Sequence, residues 1–225
     1  MAEKKNVTGS GNDEIIAKAQ DFWTRYQKQI TIALAVIVLA IGGWYGYKNF
    51  VQNPKTAKAV DAMYKAEEYY AMDSLQKALN GDGINAGFVK IIKDYGGTAA
   101  GNLARFYAAN CYLRLGDFNN AVKQLKEYST SQKQVQARAY KLLADAYSEL
   151  GKNDEAIENY KKASKHFPED FHNSAEYLFM AASLAERSGK TNEAIELYKE
   201  VKEKFPDTVA EREAEKYLAK LGVYN

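Results

Sequence analysis

Residues 140–168 read YKLLADAYSELGKNDEAIENYKKASKHFP, and the fold turns on how this stretch is understood. The physical reading is a helix hairpin. Gly151 ends the first helix by tolerating a left-handed conformation, and Ala156 lets the second helix pack closely against it. Asp154 and Glu155 fall in the first turn of that second helix, where carboxylates favour the helix dipole. Neither helix could bury its apolar face alone, so such hairpins come in arrays whose neighbours supply the missing contacts.

Outward from this hairpin the same pairing recurs at Gly116/Ala121 and Gly189/Ala194, the three glycines being preceded by YLRL, YSEL and AERS. The spacings are 35 (151 − 116) and 38 (189 − 151), and Gly81/Ala86 extends the series by another 35 (116 − 81). Residues 140–168 resemble the tetratricopeptide-repeat (TPR) superfamily. Tyr140, Leu143, Ala144, Tyr147, Ala156, Tyr160 and Pro168 stand where that family shows W-x2-L-G-x2-Y, A-x3-F and P. The next unit keeps Leu178, Ala182, Ala194, Tyr198 and Pro206, with Ala185 in the aromatic position. The unit around Gly116 keeps Ala109, Tyr112 and Ala121 but has Arg105 at the tryptophan position and no closing proline. The earliest unit reads as degenerate: Asp73 and Lys77 occupy apolar positions and GDGIN interrupts it. After Pro206, TVAEREAEKYLAKLG reads as a capping helix that buries Val209, Ala214, Tyr217, Leu218 and Leu221. The expected fold is all-α, a TPR-like solenoid over residues 55–225 with about three to four hairpins and a C-terminal cap.

Ahead of the repeats, QITIALAVIVLAIGGWYGY over residues 29–47 is free of charge and bounded by Lys28 and Lys48. At a rise of about 1.5 Å per residue it covers roughly 28 Å, close to a hydrocarbon core of about 30 Å. Phe22, Trp23 and Tyr26 precede it and Trp44, Tyr45 and Tyr47 close it, as interfacial belts do. The stretch is apolar on every face, unlike a core-packed surface helix, and no cleavage site follows it. We therefore assign a single transmembrane helix to residues 29–48. Positive charge is balanced across it, Lys18, Arg25 and Lys28 against Lys48, Lys55 and Lys58, and does not orient the chain. Gly42 and Gly46 form a G-x-x-x-G pattern that would let another membrane helix approach. Residues 12–28 carry an apolar stripe of Ile15, Ile16, Ala19, Phe22, Trp23 and Tyr26, which reads as an amphipathic juxtamembrane helix. Residues 1–11 read as a disordered tail.

Composition narrows the function. The chain has 225 residues with 31 Lys and Arg against 29 Asp and Glu, and the signs are interspersed, which argues against nucleic acid as a partner. The single cysteine, Cys111, rules out an internal disulfide framework and reads as buried filler in an alanine-rich helix. His166 and His172 lack the spacing of metal ligands and read as solvated loop residues. No Gly-rich phosphate loop or nucleophile elbow is present. The sequence thus points to no enzyme and implies no cofactor or metal.

In TPR proteins the first helix of each hairpin generally lines the concave groove. That resemblance nominates Phe106, Asn110, Leu113 and Arg114, then Lys141 and Asp145, then Phe179, Ser183 and Arg187 as partner-binding residues. The tail, span and repeats together resemble the YfgM-like ancillary subunit family of the bacterial SecYEG translocon. The likeness runs through FWTRYQKQITIALAVIVLAIGGWYGY and YGGTAAGNLARFYAANCYLRLGDFNNAVKQL. It implies an inner-membrane protein with a cytoplasmic N-terminus and periplasmic repeats. Its implied partners are the SecYEG translocon, a PpiD-like membrane-anchored chaperone and emerging polypeptides. A coordinator of cell-envelope assembly or division, similar to the periplasmic TPR protein of the Tol–Pal system, is the alternative.

Overall fold

The computed structural model describes residues 10–224, and side chains from Glu14 onward. Every regular element among them is a helix. The chain divides into two compact units, the first ending at Pro54 and the second starting at Lys55.

The first unit is built on α1, Ser10–Tyr47, followed by a π-helical turn over Lys48–Gln52. Residues 1–9 of the expected tail lie outside the described residues, while Ser10 and Gly11 already belong to α1. No break separates the stretch 12–28 from the apolar run; one helix of 38 residues carries both. Two i,i+4 ion pairs, Glu14–Lys18 and Asp21–Arg25, support its early turns. Farther along, Val38 is 67% and Leu39 75% exposed. Within the unit nothing covers the apolar run, so the helix is no buried core element. It is long and apolar enough to cross a membrane.

The second unit continues with α2 (Asn53–Ala71), α3 (Leu75–Asn80), α4 (Phe88–Tyr95), α5 (Ala99–Arg114) and α6 (Phe118–Glu127). It ends with α7 (Lys133–Glu149), α8 (Asn153–His166), α9 (Phe171–Arg187), α10 (Thr191–Lys204) and α11 (Val209–Lys220). Three hairpins, α5/α6, α7/α8 and α9/α10, turn in one way. Gly116, Gly151 and Gly189 have φ of 77°, 70° and 77°. The residue after each donates back to Tyr112, Tyr147 or Ala185 across 2.9 Å, closing the orphan carbonyls of the helix end. Ala121, Ala156 and Ala194 are then fully buried against the first helix. Gly222 (φ 79°) closes α11 in this manner too, with Val223 N–H donating to Leu218. Of the expected cap face, Ala214 and Leu218 are buried and Tyr217 and Leu221 half-buried, but Val209, in the first turn of α11, is 66% exposed. The N-terminus of α11 is held by Thr208, whose hydroxyl accepts from Glu211 N–H at 3.0 Å and donates to Phe205 carbonyl at 2.8 Å. Thr98 holds α5 by the same pair of bonds.

The earliest glycine–alanine pair does not make a hairpin of this kind. Gly81 has φ 87° with an extended ψ of −176°, and Ala86 lies ahead of α4 instead of inside it. The chain leaves α3 outward and Gly87 passes so close to α3 that an added Cβ would sit 2.3 Å from the Leu79 carbonyl oxygen. Ala59, Met63 and Ala66 of α2, Ala78 and Leu79 of α3, and Phe88 and Ile91 of α4 form one core with α5. The earliest repeat, within the second unit, is thus a three-helix variant, and a second core runs on through the later hairpins.

These two kinds of glycine are separable by mutation. Gly116→Ala forces a side chain into the left-handed region in open space, and a loss of about 1–2 kcal/mol is expected. Gly81→Ala adds to the same cost a Cβ 2.2 Å from the Asn85 carbonyl oxygen, so its loss should be clearly larger. Thermal unfolding of the full chain in detergent checks this ranking, and equal losses would contradict the close approach.

Candidate protein-binding groove

The first helices α5, α7 and α9 carry the nominated side chains, and the structure assigns them very different surroundings. On α5, Phe106 is half-buried, its ring tilted against Tyr128 at 5.2 Å. Asn110 is buried and its amide donates to the Phe106 carbonyl at 2.9 Å, so it serves its own helix. The reason is physical: a side-chain amide inside an alanine-rich interface must find a partner, and the carbonyl one turn back is within reach. Leu113 is half-buried, and Arg114 is exposed and ion-paired to Asp73 in the turn before α3.

On α7, Lys141 reaches Asp145 one turn on at 2.9 Å, and Asp145 also accepts from the Tyr160 hydroxyl of α8 at 2.7 Å. Burial, with the Asp145 carboxylate adding to it, pushes the Tyr160 phenol far above its usual range, so it remains a donor. On α9, Phe179 packs on Tyr198 and Tyr217 at 5.5 and 5.7 Å and lies half-buried against the core. Ser183 is half-buried and Arg187 exposed. In α1, a Cβ added at Gly42 or Gly46 would meet nothing within 4 Å.

The structure brings Lys141 together with residues outside the nominated set. Between α7 and α9 lies a cleft of about 520 Å³, lined also by Gln134, Val135, Arg138, Leu142, Asp170, Asn173, Glu176 and Tyr177. Gln134 and Asn173 both donate to Asp170, at 3.1 and 2.8 Å, which ties the start of α7 to the start of α9. Arg138 and Glu176 are exposed and form no ion pair among the described residues. Burial raises the Tyr177 phenol, with the Asp170 carboxylate adding to it. Arg138 stands three residues before Lys141, and Glu176 three before Phe179. Stepping back one helical turn from the nominated positions would have found both.

The cleft therefore offers a guanidinium, a carboxylate and a phenol over an apolar floor of Val135 and Leu142. It is suited to holding a polypeptide through hydrogen bonds and charge, with aliphatic contact beneath. Among the described residues no group of His, Cys, Asp and Glu is placed to hold a metal ion. The histidines are helical instead of lying in loops: His166 ends α8 with its ring edge-on to Tyr140 at 5.4 Å, and His172 is exposed in the first turn of α9. Cys111 is fully buried, and burial pushes its thiol up to about 11.

Comparison with known proteins places these helices in context. A family model described as a tetratricopeptide repeat-like domain matches residues 20–214. No curated protein matches the chain. Among solved structures, the nearly identical TPR-like repeats of a kinesin light chain from Podosopora anserina are similar, with a TM-score of 0.53 at 17% identity. The match covers 84% of this chain and 93% of that one, and the likeness is one of fold.

Proposed function

The chain belongs to the tetratricopeptide repeat-like family, and from that premise we propose that it is a membrane-anchored, non-catalytic adaptor working beside the bacterial Sec translocon. Repeat folds of this kind suit protein–protein interaction, because stacked hairpins present an extended concave face. One pairing carries the proposal: a single chain joins α1, none of whose apolar run is buried, to a solenoid whose α7–α9 cleft holds Arg138 and Glu176 without an ion pair among the described residues. The sequence resemblance to the translocon's ancillary subunit adds the setting. On this reading the N-terminus is cytoplasmic and the repeats are periplasmic, where the cleft docks a PpiD-like chaperone or an emerging chain. The mechanism is positional, with no covalent step: α1 raises the local concentration of the adaptor at the translocation exit.

Photo-crosslinking residues at Arg138 and Glu176, in the full chain in its native membrane, test the proposal. Adducts with a translocon subunit or a membrane-anchored chaperone are expected. Adducts with neither would overturn the translocon setting, and recovery of envelope-assembly proteins in their place would move the adaptor to cell-envelope coordination.

A further inference from the structure

Lys161, Lys162, Lys165 and His166 follow one another along α8, and the stacking of helices brings Lys126 of α6 to the same place. Two adjoining cavities, of about 410 and 370 Å³, share Tyr140 and Lys162 and form one trough beside α7. Lys161, Lys165 and His166 line one end of it and Lys126 the other. Lys126, Lys162 and Lys165 are exposed and form no ion pair among the described residues, while Lys161 is shared between Glu158 at 3.7 Å and Glu193 at 3.9 Å. Lys190 and Lys204, by contrast, each reach a carboxylate at 2.6 Å. Among the described residues of the lining, Glu158 supplies the single carboxylate.

Helix dipoles account for part of this set. Lys126 lies in the last turn of α6, and Lys165 and His166 in the last turn of α8, where cations face unpaired carbonyls. They do not account for Lys162, a turn earlier, or for two helix ends meeting on one trough. The surplus of positive charge there is left for a ligand.

The base and rim identify the anion. Leu125, Leu143 and Tyr147 are buried at the base, so these apolar side chains do not project to enter a lipid layer. Among the described residues no guanidinium lines the trough, and the half-buried Tyr140 ring stands edge-on to His166. That leaves neither a fork for phosphates nor a stacking platform for bases. Ammonium groups over an apolar base suit carboxylates on a chain that also brings an apolar side chain. The rim is held in shape by Gln136, whose side-chain oxygen accepts from Thr130 N–H at 2.9 Å in the segment between α6 and α7.

We infer that this trough docks an acidic polypeptide segment, its carboxylates on Lys126, Lys162 and Lys165 and an apolar residue against Tyr140. The helix α7 gives Gln136, Tyr140 and Leu143 to the trough, and Val135, Arg138 and Leu142 to the α7–α9 cleft. The two surfaces therefore lie on different sides of one helix, and the chain can hold a second partner while its cleft is filled.

A fluorescent peptide with glutamates on either side of a central leucine, and its glutamine counterpart, are titrated with the full chain in detergent and followed by anisotropy. The glutamate peptide should bind about ten-fold or more tighter, and less tightly as salt rises. Lys162→Glu with Lys165→Glu should weaken its binding about ten-fold or more, while Lys162→Arg with Lys165→Arg keeps it. Lys152→Glu with Lys199→Glu makes the same change of charge at exposed positions outside the trough and should alter binding less than about two-fold. Equal weakening by both glutamate pairs would overturn the inference, because net charge alone would then drive binding. Equal affinity for the two peptides, or none for either, would overturn it as well. A loss caused by Arg138→Glu instead would place the peptide in the α7–α9 cleft. A single-stranded oligonucleotide that outbinds the peptide, or phosphatidylglycerol in the micelle that displaces it, would replace the acidic polypeptide with a phosphate ligand and overturn the assignment.

Discussion

Arginine at both Val38 and Leu39 is expected to release the full chain from membranes. A charged residue near the centre of a spanning helix costs about 2.5–3.5 kcal/mol on insertion scales, so two should cost about 5–7 kcal/mol. The apolar run of α1 offers no partner to offset that penalty, since the side chains around positions 38 and 39 are exposed. The same exposure means that neither substitution removes a packing contact, so the second unit should unfold at an unchanged temperature. Alkaline extraction of membranes reads the first effect and thermal unfolding the second. If the double variant stays in the extracted pellet, α1 is not what holds the protein there. If the repeats melt early, α1 has a packing role that its exposure does not reveal.

The largest loss of stability should follow Tyr198→Ala. Tyr198 is the largest fully buried side chain among the described residues, stacked on Tyr217 at 5.4 Å and packed by Phe179. Its hydroxyl donates to Glu186 at 2.9 Å, and burial followed by that bond raises its phenol far above the usual range. Truncating a buried aromatic to alanine costs about 3–5 kcal/mol, part of it for the cavity left behind. Tyr198→Phe removes only the hydrogen bond, and about 0.5–1.5 kcal/mol is expected, because Lys220 still holds Glu186 at 3.3 Å. Urea unfolding of the full chain in detergent gives both values. Equal losses would mean that the hydroxyl, not the ring, carries the residue's contribution. The position matters because Tyr198 and Tyr217 join α10 to α11. Loss of the ring should fray the C-terminal end of the solenoid first, which hydrogen exchange would resolve helix by helix.

The contrast between the glycine turns and the groove explains how much could be read from the chain alone. Gly151 and Ala156 announce a hairpin because both act within a few residues: the left-handed glycine lets Lys152 N–H bond to Tyr147, and the alanine decides how near the next helix can come. The same pairing at Gly81 and Ala86 misleads, since Asp82 captures the following backbone and carries the chain away extended. Nothing in a spacing rule separates those outcomes. The nominated groove residues were chosen by position on the first helices, and that placed Lys141 in the cleft. It did not reveal that Phe179 would be covered from α10 and α11, or that Asn110 would turn to its own backbone.

The sequence by itself determined that the molecule is all helical, where its later hairpins turn, and that one helix is apolar enough to cross a bilayer. Those properties depend on neighbours in the chain: glycine's left-handed φ, helical spacing, and an unbroken apolar run. Only the tertiary structure decided which first-helix side chains stay free to bind. Asp145 is taken by Tyr160, 15 residues away, while Arg138 has no ion-pair partner among the described residues. Such partners meet only after the helices have stacked, and burial then forces each polar group to find one.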